Sequence, residues 1–443
     1  MIARSLTGRR MIRLLRSGKL AFKVLDRVSR HMAKNVTIIG AGIVGMCCAA
    51  YLQRDGHRVT VIDRGPPGEG ASFGNAGILS PGSCVPMAVP GVLSKLPGWL
   101  RDPLGPVAVR LAHLPSMLPW FLHFRRAARM QNVERSADAL RRLLSQTFDA
   151  YAPLVTAAGV ADIMQRPGYL VVYESAAAFE ADQLSWKIRS DRGVEFDVLD
   201  SAGLQKMEPA LAPIYARGVY ILDQGYVTSP LRLTQSLAAQ LERDGGKIER
   251  REVRAIESGA DGPRALLTDA GRVPVETLVV AAGVHSARFA RMLGDRVLLE
   301  AERGYHVQFS APGISIARPV SSAAGKFFAT PMEMGIRVAG TTEFAGLDRP
   351  ANGQRAQVLL KHARRMFPDL AIDPHTEWMG QRPSTPDYLP IISRSPRYRN
   401  AFYAFGHGHL GLVSAAPSAR IVADLVAERT PAIDVAPYRV DRF

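Results

Sequence analysis

Two glycine clusters and one acid set the chemistry this sequence can support. Gly40-Ala41-Gly42-Ile43-Val44-Gly45 fits G-x-G-x-x-G, and Asp63 follows it in the same short stretch of chain. The first glycine permits a tight turn, the second lets a pyrophosphate reach the backbone, and the third allows close helix packing. Ile43 and Val44 open a helix whose N-terminus meets the phosphate charge, while the Asp63 carboxylate accepts hydrogen bonds from ribose hydroxyls. Arg64, directly after the acid, either packs near an adenine or is solvated. The pattern predicts a bound dinucleotide and leaves FAD and NAD equally open. A second formal match, Gly406-His407-Gly408-His409-Leu410-Gly411 with Leu412 following, lies too close to the C-terminus to be followed by another strand and acid. It therefore brings backbone amides and a helix N-terminus to a ligand that gains negative charge, such as the N1 to O2 edge of a reduced flavin.

The elements that position these residues are readable from periodicity. Asn35 to Ile39 predicts a strand, Gly42 to Asp55 a helix and Arg58 to Asp63 a second strand, a complete β-α-β unit. Pro81 to Pro119 is rich in Pro, Gly and Leu and reads as a long packed loop with short helical turns. Helical patterning follows over Val133 to Ala158, Ala176 to Asp191 and Leu231 to Asp244, with a strand at Tyr169 to Tyr173. Thr277 to Ala282, ending at Gly283, predicts a buried strand. Alternation over Leu298 to Phe309 and Phe327 to Phe344 predicts antiparallel strands, with Glu333-Met334-Gly335 as a hairpin tip. A last strand, Ala401 to Phe405, leads into a helix from Leu412 to Glu428.

Length and charge narrow the classes. A chain of 443 residues predicts two domains. The net charge is +16, but residues 1–34 hold ten Lys or Arg against Asp26, leaving +7 for the remaining 409 residues. With no basic stripe interleaved with aromatics in the body of the chain, nucleic acid is not expected as a partner. The leader reads as a disordered tail, an amphipathic targeting segment, or sequence upstream of a true start at Met32, the last being favoured. No apolar run reaches the ~18 residues of a membrane span. Cys47, Cys48 and Cys84 form no C-x-x-C pair, so neither a disulfide framework nor a metal site is expected, and a cytoplasmic location, associated if at all with the inner membrane face, fits.

At this point a resemblance can be stated. The Gly40 to Gly45 turn, Ala71-Ser72-Phe73-Gly74-Asn75-Ala76-Gly77 with Ser80-Pro81-Gly82, Gly380-Gln381-Arg382-Pro383 with Thr385-Pro386-Asp387, and Gly406-His407-Gly408 with Gly411 occur in one order. Together they resemble the D-amino-acid oxidase superfamily of flavoproteins, and Ser72 to Gly82 with Pro90-Gly91 its bacterial D-amino-acid dehydrogenase branch. The resemblance implies an α/β fold with a discontinuous Rossmann-type FAD-binding domain (35–83, 219–285 and 376–443) after a basic extension (1–34). An α+β substrate domain on a mostly antiparallel sheet (84–218 and 286–375) is inserted. It implies FAD contacts at Gly40, Gly42, Gly45 and Asp63, at Ser72, Asn75, Ala76 and Gly77, at Val253 and Gly283, and at Gly406 to Leu412. No cysteine lies near Thr385-Pro386-Asp387, so the FAD is expected to be non-covalent.

Oxidising an amino acid by hydride transfer requires a fixed carboxylate, a neutral amine and an α-carbon held against flavin N5. A bidentate Arg fork is the natural carboxylate partner. Arg382 is the first candidate and Arg303 the second, with an interdomain ion pair as the alternative fate of either. Tyr305 either donates to the same carboxylate or packs as core. His306, His407 and His409 are candidate bases, although related enzymes often let water take the proton. Arg303-Gly304-Tyr305-His306 departs from the Gly-Tyr-Ser run of alanine-type dehydrogenases, which points to a cyclic imino acid such as D-proline or a hydroxy-D-proline. The expected acceptor is a quinone or other carrier. Alternatives are a glycine- or sarcosine-type oxidase using oxygen, and a non-catalytic flavin-binding subunit. Met87 to Trp120, with Trp99 and the flanking Arg110, Arg125 and Arg126, either lies on a bilayer or forms a buried lid. Oligomeric state is not legible.

Overall fold

Val36, Thr37, Ile38 and Ile39 are all buried, the mark of a central strand covered on both faces. This strand, β1 (Asn35–Ile39), leads through helix α1 (Ile43–Arg54) to β2 (Arg58–Asp63). The computed structural model describes residues 33–443 apart from Pro103, so the expected basic leader lies outside the described residues. Six strands form the nucleotide-binding sheet in the order Lys247–Arg250, β2, β1, Thr277–Val280, Ala401–Phe405, Ile391–Arg394. The first five run parallel and the last is antiparallel. Small buried residues of α1, among them Cys47, Cys48 and Ala49, let it pack with the Ala-rich helix Gly411–Val426 in one buried cluster. The opposite face of the sheet is covered by a three-stranded meander, 253–274, and by Phe289 and Leu293.

A second, nine-stranded sheet carries the other half of the cleft. Its edge is built from β3 (Glu300–Phe309) and β4 (Gly335–Phe344), which are followed by helix α2 (Gly353–Met366) and β5 (His375–Ser384). Its order is β5, β3, β4, Phe327–Met332, Val320–Ser322, Tyr169–Tyr173, Arg217–Ile221, Asp197–Asp200, with Val107–Val109 beside the end of β4. Most pairs are antiparallel. Tyr305, Val307 and Phe309 on β3 pack with Leu359, Ala363 and Met366 of α2 in one core. β3 is buried on its other face as well, because the nucleotide-binding part lies there.

Several elements differ from expectation. Pro81 to Pro119 carries short helical turns as expected, Leu96–Arg101 among them, but it also holds strand Val107–Val109, and helix Leu114–Ala127 runs through Pro119. The buried stripe Met117, Trp120 and Phe124 holds that helix against Phe344 and Tyr388, outweighing the proline's lost hydrogen bond. The Val133 to Ala158 pattern is two helices, Met130–Leu144 and Thr147–Ala158. Strands Arg217–Ile221 and His375–Ser384, divided or assigned to the FAD-binding part on the sequence, hydrogen-bond in the nine-stranded sheet. The hairpin tip at Glu333-Met334 is as expected, with Gly335 at φ +105°.

Candidate active site

The dinucleotide turn has three glycines with different tasks. A Cβ on Gly40 would lie 2.4 Å from the Ala281 carbonyl oxygen, and one on Gly45 would lie 1.9 Å from that of Gly40. Both positions are closed by backbone. Gly42 meets only the Ser72 hydroxyl, at 3.3 Å, which leaves its Cα open to a ligand. α1 begins there with no side-chain N-cap and no acid in its first turn, so its amide dipole is uncompensated. Asp63 accepts from Ala41 N at 2.7 Å and from Gly65 N at 3.0 Å, bracing the turn against the end of β2. Arg64 is exposed and its Nη2 lies 3.0 Å from His285 Nε2, close to Gly283. Val253 is buried in the meander core. This cradle fits a dinucleotide.

From the same turn a loop runs toward the nine-stranded sheet. Ser72 Oγ accepts from Ile43 N at 2.9 Å, Asn75 Nδ2 donates to Ser72 O, and Gly77 N donates to Asn75 Oδ1. Ala76 lies between these fixed points. The sheet grips the loop from the other side: His306 Nδ1 lies 2.9 Å from Gly74 O, and Arg337 Nη1 donates to Phe73 O and Asn75 O. A carbonyl can only accept, so His306 donates from Nδ1. Burial, with Arg337 adding to it, pushes the His306 pKa down to about 3, and the ring stacks on Trp378. His306 is a neutral clamp on this loop and not the candidate base. A Cβ on Gly74 would lie 2.0 Å from the Trp378 ring, so the indole sits directly on that glycine.

Arg382 forms the polar centre. β5 pairs antiparallel with β3 so that Arg382 stands opposite Glu302, Gly380 opposite Gly304 and Trp378 opposite His306. Arg382 Nη1 donates to Glu302 Oε1 at 2.9 Å, while its Nε and Nη2 have no hydrogen-bond partner among the described residues. Glu302 is buried and also accepts from Ser384 Oγ at 2.7 Å, Thr342 Oγ1 at 3.0 Å and Tyr388 OH at 3.3 Å. Burial raises its pKa, but Arg382, His409 and the Ser384 hydroxyl outweigh that, and the carboxyl sits below its ordinary value. A Cβ on Gly304 would lie 2.1 Å from Arg382 Nη2, so only glycine there leaves the guanidinium its place. A bulge in β4, with Thr341 at φ +56°, turns Thr342 toward Glu302.

The C-terminal glycine stretch closes this space. Gly406 and Gly408 have positive φ, and Gly408 packs 3.3 Å, by its ideal Cβ, from Ser384 Oγ. Leu412 O is bonded by Tyr151 OH, which fixes the start of helix Gly411–Val426. His407 is turned away into that helix, 3.1 Å from Ser418 Oγ, with burial pushing its pKa down to about 3. It is not placed as a base. His409 keeps exposed surface beside Tyr388 although protein surrounds it, and desolvation and Arg382 lower its pKa against the pull of Glu302.

Arg303 and Tyr305 take no part in this cleft. Side chains alternate along a strand, so they point to the α2 face while Glu302, Gly304 and His306 point inward. Arg303 pairs with buried Glu343 at 3.3 Å and donates to Arg349 O and Pro350 O, and Tyr305 OH donates to Glu343 at 2.7 Å. Arg303 is thus held in an ion pair, but one between adjacent strands of a single sheet and not between domains. Glu302, Gly304, Ser384, Tyr388 and Arg337 were not singled out from the sequence. Period-two spacing from His306 was the available signal for Glu302 and Gly304. The others come from segments whose approach only the fold creates.

The family described as FAD dependent oxidoreductase matches residues 35–425. The chain is 38% identical over 417 residues to a D-amino-acid oxidase of Bradyrhizobium diazoefficiens, covering 93% of this chain and 99% of that protein. It is 35% identical to a D-amino acid dehydrogenase of Paramagnetospirillum magneticum, covering 92% and 98%. Among solved structures, glycine oxidase from Geobacillus kaustophilus superposes with a TM-score of 0.71 at 24% identity, over 93% of this chain and 99% of that one. The glycine cradle and the full-length match lead to one conclusion: the chain belongs to the DAO family and is an FAD-dependent oxidoreductase.

Proposed function

We propose that the chain dehydrogenates a D-amino acid, with Arg382 holding the substrate carboxylate and electrons passing to a quinone or other carrier. The observation that carries this reading is the open edge of Arg382: one nitrogen is anchored to Glu302, and Nε and Nη2 are left for a two-point contact with a carboxylate. Bound FAD supplies the hydride acceptor. Gly42 and the start of α1 would hold its pyrophosphate, Asp63 its ribose, and Ser72 to Gly77 with Gly408 to Leu412 its ring. Glu302 keeps the guanidinium from swinging, and Tyr388 and Trp120 wall off water, the latter through its bond to Ser384 O at 3.0 Å. His306 and His407 are both committed to structural contacts, so the ammonium proton leaves on the side of His409, which keeps exposed surface beside Tyr388.

The departure at Arg303-Gly304-Tyr305-His306 that suggested a cyclic substrate falls partly on residues facing α2, so Arg303 and Tyr305 give no reason to prefer D-proline or hydroxy-D-proline. An anaerobic panel of D-amino and imino acids, scored by loss of flavin absorbance, tests the reading. Bleaching by D-amino acids supports it; bleaching only by glycine or sarcosine, with peroxide formed in air, overturns it.

A carrier held at a bilayer is favoured by helix Leu114–Ala127. Its inner face seals the site through Trp120, while Leu111, Leu118 and Leu122 are exposed outside beside Arg125 and Arg126. Residues 84–133 hold six Lys or Arg against Asp102 alone, which complements an anionic membrane surface. The Trp99 side chain lies outside the described ones. No helix among the described residues is long and apolar enough to cross a membrane. Co-sedimentation with anionic vesicles that fails at low salt would remove this part.

A further inference from the structure

We infer that Arg337 is an uncompensated buried cation that raises the reduction potential of the bound flavin through the loop Phe73 to Gly77. The inference rests on the reading that this loop lines the flavin. Arg337 lies on β4 and is 3% exposed. Nε donates to Gln308 Oε1 at 3.0 Å, and Nη1 donates to Phe73 O at 3.1 Å and Asn75 O at 2.9 Å. All three acceptors are neutral. Among the described residues Arg337 has no ion pair, and its Nη2 has no hydrogen-bond partner. Arg303, on the neighbouring strand β3, and Arg382, on β5 beyond it, each have a buried glutamate.

The histidine that shares its grip on the loop adds no counter-charge. His306 shares the inward face and is neutral, bonded to Gly74 O. Three successive loop carbonyls, Phe73, Gly74 and Asn75, are thus fixed by one neutral ring and one guanidinium. Burial lowers the pKa of Arg337 to about 10, which still leaves it charged at neutral pH. Keeping an unpaired ion out of water is costly unless something offsets it. The loop it grips follows Ser72, whose hydroxyl accepts from Ile43 N in the phosphate cradle, and ends at Gly77, whose carbonyl accepts from Val227 N. A hydride carries two electrons and one proton, so the neutral flavin gains a negative charge unless a second proton follows. That charge is the missing partner, and a cation fixed beforehand stabilises it with no reorganisation.

The test uses the full chain loaded with FAD and reads the midpoint potential by equilibration with a reference dye. Arg337→Gln keeps a donor for the loop carbonyls and removes the charge; Arg337→Lys keeps the charge and loses the fork. Gln308→Glu leaves Arg337 in place and gives its Nε a carboxylate. Both neutralising changes should lower the equilibrium constant for reduction at least tenfold, about 30 mV for a two-electron couple, while Arg337→Lys stays within about threefold. Should Arg337→Gln not retain flavin, Gln308→Glu decides. Equal potentials in Arg337→Gln and Arg337→Lys, or a wild-type potential in Gln308→Glu, would overturn the assignment. Wild-type chain that takes up no FAD would overturn it together with the functional reading, and is recognised before any variant is measured.

Discussion

Two arginine–glutamate pairs lie on opposite faces of β3, and they have opposite fates. Arg303 and Glu343 face α2, and each side chain is 1% exposed. Tyr305, Arg110 and two carbonyls take up the pair's remaining capacity, and the one unpartnered atom, Arg303 Nε, is shut away from solvent. Arg382 and Glu302 face the cleft. Glu302 is equally buried, but the guanidinium is 25% exposed with two nitrogens unengaged. Residue type and ion pairing are the same in both. What separates a site from a strut is donor capacity left over and open to a ligand.

The comparison can be broken by removing one member of each pair. Arg382→Met leaves the buried Glu302 carboxylate with hydroxyl partners alone, so it should cost about 3–5 kcal/mol of stability. In the folded enzyme it should also cost about 2–5 kcal/mol of transition-state binding, roughly 30-fold to several thousand-fold in kcat/KM. Arg303→Met takes one of two cations from Glu343, which keeps Arg110 at 3.0 Å, and should cost about 1–3 kcal/mol of stability, read from urea unfolding, while kcat/KM in the folded enzyme changes little. If the loss of kcat/KM followed Arg303→Met instead of Arg382→Met, the assignment of the faces would be wrong. A finer change is Gly304→Ala, which adds one carbon where Arg382 Nη2 now lies. Overpacking of this kind costs about 1–3 kcal/mol and should appear chiefly as a raised KM, because the fork is displaced and not removed.

His306 sharpens the contrast on the cleft face itself. Its unfolded pKa is about 6.5, and burial lowers the folded value to about 3. The unfolded chain therefore binds a proton that the folded chain refuses across this window. Stability should fall as pH drops from about 6.5 toward 3, by about 1.4 kcal/mol per pH unit for this ring. Unfolding free energies of wild type and His306→Gln at several pH values check this: the variant should show a shallower slope, and an unchanged slope would return His306 to the list of titrating bases.

The nucleotide half was legible because its signals are local. Gly40 to Gly45 and Asp63 sit within one β-α-β unit, and each glycine has a local reason, backbone contact at Gly40 and Gly45 and ligand approach at Gly42, that a sequence pattern can carry. The substrate half was legible at Arg382 but not around it. Ser384, Tyr388, Thr342 and Glu302 converge from three strands and a turn, and no spacing along the chain encodes that meeting. Arg303 and Tyr305 were favoured for their chemistry, although strand alternation alone placed them on the face opposite His306. Helix Leu114–Ala127 was missed because its prolines read as breakers, whereas the aromatic stripe on its inner face decides its structure.

The central claim is that Arg382, and not Arg303, receives the substrate carboxylate. Binding of a small carboxylate such as acetate to the FAD-loaded protein, followed by the perturbation of the flavin spectrum, tests it directly. Wild type and Arg303→Met should bind with similar dissociation constants, and Arg382→Met should show no saturable change. Saturable binding by Arg382→Met at the wild-type constant would contradict it.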